Sequence, residues 1–211
     1  MMNINKIIKN QFAMVKANPN ATRSPKITLE LHSSIKKYCQ EQLGSDYEVI
    51  CQDTKEFVYS GPFLDKKVDI AILKDKKLVG AIEVKVIRSS YKKNATNYFY
   101  NMLGETANFK EGGVKICQLI VIPEVVEFKD RGVVKQETIN DTQIQKYVKL
   151  ENSATDAKPD TTIVNMVKMN YETGECFEPT FENFENSEVV EYLKSCSNVN
   201  TKITEFLSKI K

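Results

Sequence analysis

Three ionisable side chains interrupt an apolar stretch in the first half of the chain. Residues 68–86 read VDIAILKDKKLVGAIEVKV, which predicts two strands joined by a charged turn. Asp69, Glu83 and Lys85 fall inside these strands rather than at their ends. An ionised group in a strand interior is costly unless a partner compensates its charge. The three residues are therefore candidates for a chemical site.

The relative positions of these side chains depend on the turn. Side chains alternate across a strand, so Glu83 and Lys85 share a face. A three-residue turn at 75–77 would place Asp69 directly across from Glu83. A two- or four-residue turn would put the two carboxylates on opposite faces, unless a bulge near Gly80 restored the register. We therefore predict an odd-length turn or a bulge.

The chemistry that such a group can perform is phosphodiester hydrolysis. Two adjacent carboxylates repel, and one is pushed toward protonation unless a cation compensates. Mg²⁺ takes oxygen ligands, commonly one or two carboxylates completed by waters and a substrate phosphate. Lys85 could orient or help deprotonate an attacking water, or stabilise charge on a phosphate. The alternative is a surface hairpin in which Asp69 or Glu83 forms a salt bridge with Lys85.

Composition removes several other classes of protein. At 211 residues the chain is expected to form one domain. His32 is the only histidine, which excludes HNH nucleases, ordinary Ser-His-Asp hydrolases and His-rich zinc sites. The five cysteines form no C-x-x-C pair and are expected to be reduced thiols. Without a signal-peptide core or a long apolar run, the chain is expected to stay in the cytoplasm, with no membrane partner.

Charge is distributed unevenly along the chain. Residues 1–100 carry 17 Lys and Arg against 10 Asp and Glu, whereas residues 101–211 carry 13 against 18. A basic half suits a polyanionic partner, although many charged residues simply face solvent. Residues 172–191 contain seven glutamates and no Lys or Arg, so this segment should avoid a phosphate backbone.

Hydrophobic periodicity predicts the elements that position the three charges. Helices are predicted at 4–15, from Ser24 and Pro25 to 43, at 94–109, at 140–150, and from an N-cap at Ser187 to 210 with a break near SNVN. Strands are predicted at 47–52, 115–123 and 161–171, and 56–65 is an irregular strand or loop. The nearly continuous apolar run KICQLIVIP is typical of a strand buried on both faces. The order indicates a mixed α/β core.

These residues resemble the PD-(D/E)xK nuclease superfamily, most closely its stand-alone type II restriction endonucleases. The resemblance rests on VDIAIL with Asp69, AIEVKV with Glu83 and Lys85, the preceding helix ITLELHSSIKKY, and the following NYFYNMLGETANF and CQLIVI. It covers roughly residues 25–123. It implies an α/β fold with a restriction-endonuclease-like core, a mixed β-sheet flanked by helices. The whole chain, 1–211, would then be one nuclease domain, with 124–211 as scaffold or dimerisation elements.

The resemblance also assigns roles to individual residues. It implies that Asp69 and Glu83 bind Mg²⁺ and that the backbone carbonyl of Val84 adds a ligand. Lys85 would serve the nucleophilic water. Glu30 resembles the auxiliary acid on the first core helix of many members; its other interpretation is an ordinary solvent-facing helix residue.

One position departs from the family pattern. Val68 stands where the family name has proline, a position that varies widely in this superfamily, so the metal site should be little affected. Asp65, in the segment FLDKK, is a fallback for Asp69 but is expected in a loop without the strand register.

A polar and basic segment directly after the motif strand is the first candidate for DNA contact. Its residues suit phosphate contacts or base reading, and the alternative is a solvated loop with an N-cap at Asn94. The candidates are Arg88, Ser89, Ser90, Tyr91, Lys92, Lys93, Asn94 and Asn97. Segments 59–67 and 127–136 are further candidates, and Arg88 and Arg131 are candidates for bidentate contact to guanine.

The sequence thus predicts a Mg²⁺-dependent, sequence-specific endonuclease for double-stranded DNA, of the type II restriction kind. Such an enzyme on a palindrome would be a homodimer, and a DNA methyltransferase gene is expected nearby. One alternative is a repair or junction-resolving nuclease that reads shape. Another is a non-catalytic DNA-binding or interaction module whose carboxylates are structural.

Overall fold

The apolar segments predicted as strands form the centre of the computed structural model, which describes residues 2–17, 25–53 and 55–211. The N-cap predicted at Ser24 lies outside the described residues. The helices are α1 (Ile4–Ala17), α2 (Pro25–Leu43), α3 (Tyr91–Glu111), α4 (Asp141–Glu151), α5 (Ser187–Cys196) and α6 (Val199–Ser208). The strands are β1 (Tyr47–Cys51), β2 (Phe57–Ser60), β3 (Asp65–Val68), β4 (Ile70–Lys74), β5 (Lys77–Val86), β6 (Lys115–Pro123), β7 (Val125–Asp130), β8 (Val133–Thr138), β9 (Thr161–Met169) and β10 (Cys176–Phe177).

Six strands form a mixed sheet in the order β1-β4-β5-β6-β9-β10. β1, β4 and β5 are antiparallel, β5, β6 and β9 are parallel, and β10 returns antiparallel to β9. All of β6 except its first residue is buried, as its apolar sequence predicts. The α/β class with a mixed sheet flanked by helices is therefore confirmed. Two further hairpins, β2–β3 and β7–β8, stand apart from this sheet.

The turn between β4 and β5 contains two residues. Asp75 and Lys76 both have positive φ, 50° and 62°, and Lys74 pairs directly with Lys77. Two consecutive positive φ values are typical of the tight hairpin turn that matches the twist of antiparallel strands. The prediction of a three-residue turn is therefore wrong.

A bulge in β5 restores the register that the two-residue turn would otherwise shift. Leu73 pairs with Leu78, whereas Ile72 pairs with Gly80, so Val79 is the extra residue. A bulge reverses the face on which all later side chains of the strand lie. The alternative prediction, a bulge near Gly80, is confirmed.

Helices cover both faces of the sheet. α1, α2 and α6 pack on one face, where Leu31 and Phe206 belong to the same buried cluster as Ile82. α3, α4 and α5 cover the other face, where Tyr147 joins a buried cluster with Ile120. Alternation along β5 then directs Ile82 toward α2, and Glu83 toward α3.

The acidic C-terminal region packs onto the sheet through two short helices. The side chain of Asn186 accepts hydrogen bonds from the backbone N–H groups of Glu188 and Val189 at 2.9 and 3.4 Å. Asn186 is therefore the N-cap of α5, and the cap predicted at Ser187 is one residue late. The predicted break near SNVN is confirmed, since α5 ends at Cys196 and α6 begins at Val199.

None of the helices in the described ranges combines the length and the apolar character that a membrane-spanning segment requires.

Candidate functional site

Asp69 lies between β3 and β4, where the chain leaves one hairpin and enters the main sheet. Ile70 pairs with Ile82, so Asp69 comes opposite Glu83. Asp69 Oδ2 accepts a hydrogen bond from the backbone N–H of Val84 at 2.8 Å, and the Asp69 N–H donates to Glu83 Oε1 at 3.4 Å. The structure therefore brings these two carboxylates together. Asp65, the fallback, is an exposed residue at the start of β3, not in a loop.

Glu83 is the buried member of the pair, with 4% of its surface exposed. Burial, and then the charge of Asp69, raise the pKa of Glu83 to about 8. The Lys66 ammonium acts in the opposite direction. Glu83 is therefore protonated at neutral pH in the absence of a metal, and a cation bound between Glu83 and Asp69 would favour its ionised form.

Lys66 already supplies one positive charge to this group. Its Nζ lies 2.9 Å from Glu83 Oε2 and 2.8 Å from Glu105 Oε1. Burial alone would lower the pKa of Lys66, but the carboxylates of Glu83 and Glu105 raise it above its ordinary value. Lys66 therefore remains charged and bridges the motif strand to α3.

Lys66 and Glu105 were not predicted from the sequence as site residues. Glu105 follows Tyr98 and Met102 at spacings of seven and three residues, so it lies on the inward face of α3. A glutamate in an inward-facing stripe is the signal that could have identified it. Lys66 gave no comparable signal, because lysines are frequent in that segment.

The carboxylate pair could bind a Mg²⁺ ion that has only one or two protein ligands. Among the described residues, no three His, Cys, Asp or Glu side chains are arranged to hold a metal ion together. Asp69 and Glu83 can still supply the one or two carboxylates with which Mg²⁺ is commonly held, because waters and phosphate oxygens complete its shell. The ligand role of the Val84 carbonyl stays a prediction; its N–H is engaged by Asp69.

Lys85 lies on the same face of β5 as Glu83 and is exposed. Its Nζ is 4.6 Å from the centroid of the Tyr98 ring, a cation–π contact with α3. The surface salt bridge between Lys85 and the carboxylates, the alternative interpretation of the sequence, is therefore replaced by this contact with Tyr98. Lys66 is the lysine that pairs with Glu83.

Glu30 does not join the pair. Its carboxylate accepts hydrogen bonds from Asn10 Nδ2 at 3.1 and 3.3 Å, on the exposed side of α2 that faces α1. His32, two residues later, projects from another side of α2. It is 2% exposed, and Asp69 and Arg88 are the charged groups that act on it. Asp69 thus acts on the pKa of His32, and Glu30 fits its solvent-facing interpretation.

The segment after β5 is mostly the first turns of α3 rather than a loop. The helix begins at Tyr91, three residues before the predicted start. Tyr91 is fully buried and its hydroxyl lies 3.1 Å from that of Tyr147. Tyr91 is therefore enclosed in the core, which argues against its predicted contact with DNA. Asn94 donates to the backbone carbonyl of Ser90 at 2.9 Å, so it is not the N-cap.

The remaining candidates divide by exposure. Ser90 occupies the N-cap position of α3 with φ of 50° and no side-chain cap. Arg88 is largely enclosed and donates from Nη2 to Gln11 Oε1 at 2.9 Å. Four candidates have exposed side chains that could reach a ligand, and these are Ser89, Lys92, Lys93 and Asn97.

The two other predicted contact segments form the paired hairpins. Residues 59–67 span the turn of β2–β3, where Phe63 and Leu64 are 66% and 56% exposed. Residues 127–136 belong to β7–β8, with Arg131 at its tip. Both hairpins are two-stranded sheets separate from the main sheet, and the turn of β2–β3 is held against α3 by Asn108, whose Oδ1 accepts from the Phe63 N–H at 3.0 Å.

Comparison with known proteins gives no independent assignment. No family model matches the chain, and no functionally characterised protein or solved structure matches it either.

Proposed function

We propose that this chain is a Mg²⁺-dependent, sequence-specific endonuclease for double-stranded DNA, of the type II restriction kind, with a restriction-endonuclease-like core. The observation that carries the proposal is the contact between Asp69 and Glu83. Asp69, between β3 and β4, lies opposite Glu83 on β5 and its N–H donates to the Glu83 carboxylate, which is buried and destabilised as an anion. Rigid strands hold such a pair in a fixed position, as a metal site requires.

The chemical roles follow from the positions of the side chains. Asp69 and Glu83 would hold Mg²⁺, which supplies charge stabilisation and an activated water at the scissile phosphate. Lys85, exposed on the same face as Glu83, is free to leave the Tyr98 ring and approach a phosphate oxygen. Lys92 and Lys93, at the start of α3, would attract the DNA backbone.

The test is digestion of phage DNA with Mg²⁺, with Ca²⁺ and with neither. The wild type should give discrete fragments with Mg²⁺ only, whereas Glu83→Ala and Lys85→Ala should lose at least ~100-fold in cleavage rate. Lys77→Ala is the matched control, because it removes an exposed lysine from the other end of β5. Cleavage confined to branched or mismatched DNA would instead favour a repair or junction-resolving nuclease. Normal DNA cleavage by both Glu83→Ala and Lys85→Ala would show that these residues are not catalytic.

The second candidate is a non-catalytic DNA-binding module. The specific observation in its favour is Lys66, whose ammonium bridges Glu83 and Glu105 and gives both a structural partner. This candidate predicts DNA binding that is unchanged by divalent cations, with no cleavage on any substrate. A neighbouring DNA methyltransferase gene would favour the restriction enzyme.

A further inference from the structure

A buried amide in the middle of β6 has no hydrogen-bond partner for its nitrogen. Gln118 is 4% exposed, and its Nε2 is unpaired among the residues that the structure describes. An amide nitrogen carries two N–H donors, and a buried donor without a partner destabilises the fold. The neighbours of Gln118 on β6 are apolar. An apolar side chain would therefore be more stable at this position, so the amide is a candidate for a functional role.

The register of the sheet places Gln118 beside Glu83. Gln118 pairs with Glu83 of β5 on one side and with Thr162 of β9 on the other. Paired residues point to the same face of a sheet, and neighbouring strands are ~4.8 Å apart. Ile82 and Cys117, each one residue earlier on its strand, belong to the buried cluster on the α2 side. Glu83 and Gln118 therefore both point toward α3.

The packing of α3 places Glu105 over this pair. Met102 and Ile120 belong to one buried cluster, and Phe109 and Ile116 belong to another. Glu105 lies between the two helix residues, at spacings of three and four, and so on the same side of α3. The buried amide lies between the two strand residues and on their face of β6. The glutamate of α3 and the amide of β6 therefore meet in one polar layer between two apolar clusters.

The ion pairs of Lys66 support the same placement. Its Nζ lies 2.9 Å from Glu83 Oε2 and 2.8 Å from Glu105 Oε1, so both carboxylates meet at one ammonium. Gln118 is the neutral donor beside this group. The two oxygens of a carboxylate together accept about four hydrogen bonds. Glu83 can therefore accept an amide N–H in addition to its contacts with Lys66 and Asp69.

An ammonium and a neutral amide affect cation binding in opposite ways. Lys66 compensates the charge of Glu83, but its own charge repels a divalent cation at the same carboxylate. The amide of Gln118 stabilises an ionised carboxylate by hydrogen bonding and adds no positive charge. It can therefore orient Glu83 without weakening the attraction of this carboxylate for a cation. Partners that orient a metal ligand in this way commonly change metal affinity by ~10–100-fold when they are replaced.

We propose that Gln118 is a positioning residue of the Mg²⁺ site, whose side-chain N–H donates to the Glu83 carboxylate when a divalent cation binds and orients this carboxylate toward Asp69. Such a donor raises metal affinity and lowers the stability of the fold. The inference rests on the proposed function, because it requires a cation at Asp69 and Glu83.

Calorimetric titration with Ca²⁺ tests this role in Gln118→Met, which keeps the length of the side chain and removes both hydrogen-bonding groups. We expect the Ca²⁺ affinity of the variant to fall by at least ~10-fold. Its Tm in EDTA should equal or exceed that of the wild type, because no buried amide is left unpaired. Asp69→Asn, which removes a proposed ligand, identifies the heat that belongs to this site.

Asn165→Leu is the matched control. Asn165 is also 4% exposed and also has an unpaired amide nitrogen, Nδ2, among the described residues. It pairs with Val121, which belongs to the cluster on the α2 side, so it points away from Glu83. Its replacement should leave the Ca²⁺ affinity unchanged. An equal loss of affinity in Asn165→Leu and Gln118→Met would trace both effects to the stability of the sheet and overturn the specific role of Gln118.

A measurement on the wild type does not depend on the folding of any variant. Nuclear magnetic resonance of isotope-labelled protein follows the two side-chain amide protons of Gln118 during the Ca²⁺ titration. One of them should shift downfield and exchange more slowly with solvent, because a hydrogen bond to an ionised carboxylate is short and strong. The amide protons of Asn165 should remain unchanged in the same spectra.

The outcomes separate the two proposals. Unchanged Ca²⁺ affinity in Gln118→Met, with no shift of the wild-type amide, overturns the role of Gln118 and leaves the metal site in place. The amide would then be satisfied by buried water. A Tm in EDTA that falls together with the Ca²⁺ affinity gives Gln118 a structural role only and also overturns the inference. Absence of divalent-cation binding by the wild type under every condition overturns the proposed function itself.

Discussion

The protonation state of Glu83 links the stability of the protein to its chemistry. Burial and the neighbouring Asp69 raise the pKa of Glu83 to about 8, and Lys66 limits that increase. At neutral pH the folded protein therefore retains a proton that an unfolded glutamate, with a pKa of ~4.3, would have lost. A divalent cation competes with this proton, because it binds the carboxylate form.

The stability of the protein should consequently fall as pH rises from 5 to 8. The folded state binds more protons than the unfolded state in this interval, so each unit of pH lowers the free energy of unfolding. Glu83→Gln keeps the shape and removes the titration. We expect its Tm to fall less than that of the wild type between pH 5 and 8, by at least ~2–4 °C, which corresponds to ~1 kcal/mol in a chain of this length.

Thermal melts at a series of pH values, without metal, make this measurement. Glu41→Gln, an exposed glutamate on α2, is the matched control and should follow the wild type. Parallel pH profiles for Glu83→Gln and the wild type would contradict a raised pKa at Glu83.

At the start of α3, replacing the exposed lysines and replacing the buried Tyr91 should have different effects. Lys92 and Lys93 are exposed, so their joint replacement by alanine should reduce the salt slope of DNA binding by about 2. Tyr91→Phe removes a buried hydroxyl that contacts Tyr147 and should cost ~1 kcal/mol of stability with no change in DNA affinity. Anisotropy titrations and denaturant unfolding distinguish the two effects. A DNA-affinity loss in Tyr91→Phe at unchanged stability would contradict its buried position.

At the scale of the elements, the strands were predictable because each has a distinct hydrophobic pattern. The pairing of Ile70 with Ile82 followed from matching apolar residues across the hairpin. The turn length could not be predicted, because a three-residue turn and a two-residue turn with a bulge consume the same number of residues. The residue types Asp75 and Lys76 did not indicate a two-residue turn, because the positive φ that they adopt is usual for Gly or Asn.

Contacts between elements were less predictable than the elements themselves. The sequence could show that Glu30 lies on a helix but not that its carboxylate would bond Asn10 on α1, while Asp69 acts on the pKa of His32. The pairing of Lys66 with Glu105 joins residues 39 positions apart, on a hairpin and a helix whose relative placement no local pattern encodes. Long-range ion pairs of this kind require the fold.

The bridge between β3 and α3 predicts a specific response to metal. Lys66→Met leaves Glu83 and Glu105 without their shared ammonium, so the variant should unfold at a lower temperature in EDTA. A divalent cation no longer competes with Lys66 and should bind more tightly, by at least ~5-fold. Added Ca²⁺ should therefore recover more of the Tm in the variant than in the wild type.

Calorimetric titration with Ca²⁺ and melts with and without it provide both quantities. Lys67→Met is the matched control, because it breaks an exposed pair with Glu56 at 2.7 Å on the same hairpin. Equal Ca²⁺ affinity in Lys66→Met and the wild type would show that Lys66 and the metal do not share a site.

At the scale of the whole molecule, the two halves of the chain differ in charge and in what they contribute to the fold. The basic first half contributes the carboxylate pair and the exposed lysines of α3. The acidic second half packs onto the sheet through α5 and α6. Glu124, which is only 2% exposed, also accepts hydrogen bonds from the N–H groups of Thr180 and Phe181 at 2.7 and 2.8 Å. That contact fixes part of the glutamate-rich segment to the sheet. The proposed site thus lies in the basic half of the chain, and the acidic half packs beside it.

The proposed endonuclease has one Mg²⁺-binding carboxylate pair per chain, Asp69 and Glu83, so concerted cleavage of both DNA strands would need two chains. We predict that the active species is a homodimer on a two-fold symmetric DNA site. A single-site supercoiled plasmid should be converted to linear DNA by the wild type. Excess Glu83→Gln protein mixed with the wild type before DNA is added should form mixed dimers that cut one strand, so nicked circles should accumulate.

Agarose gels of the time course measure the ratio of nicked to linear product, which must rise with the fraction of Glu83→Gln chains. Glu41→Gln, added in the same excess, should leave the product linear, since its carboxylate pair is intact. A nicked-to-linear ratio that stays constant while the total rate falls by simple dilution would show that one chain cuts both strands alone. The product ratio therefore reports the number of carboxylate pairs that act together on one site.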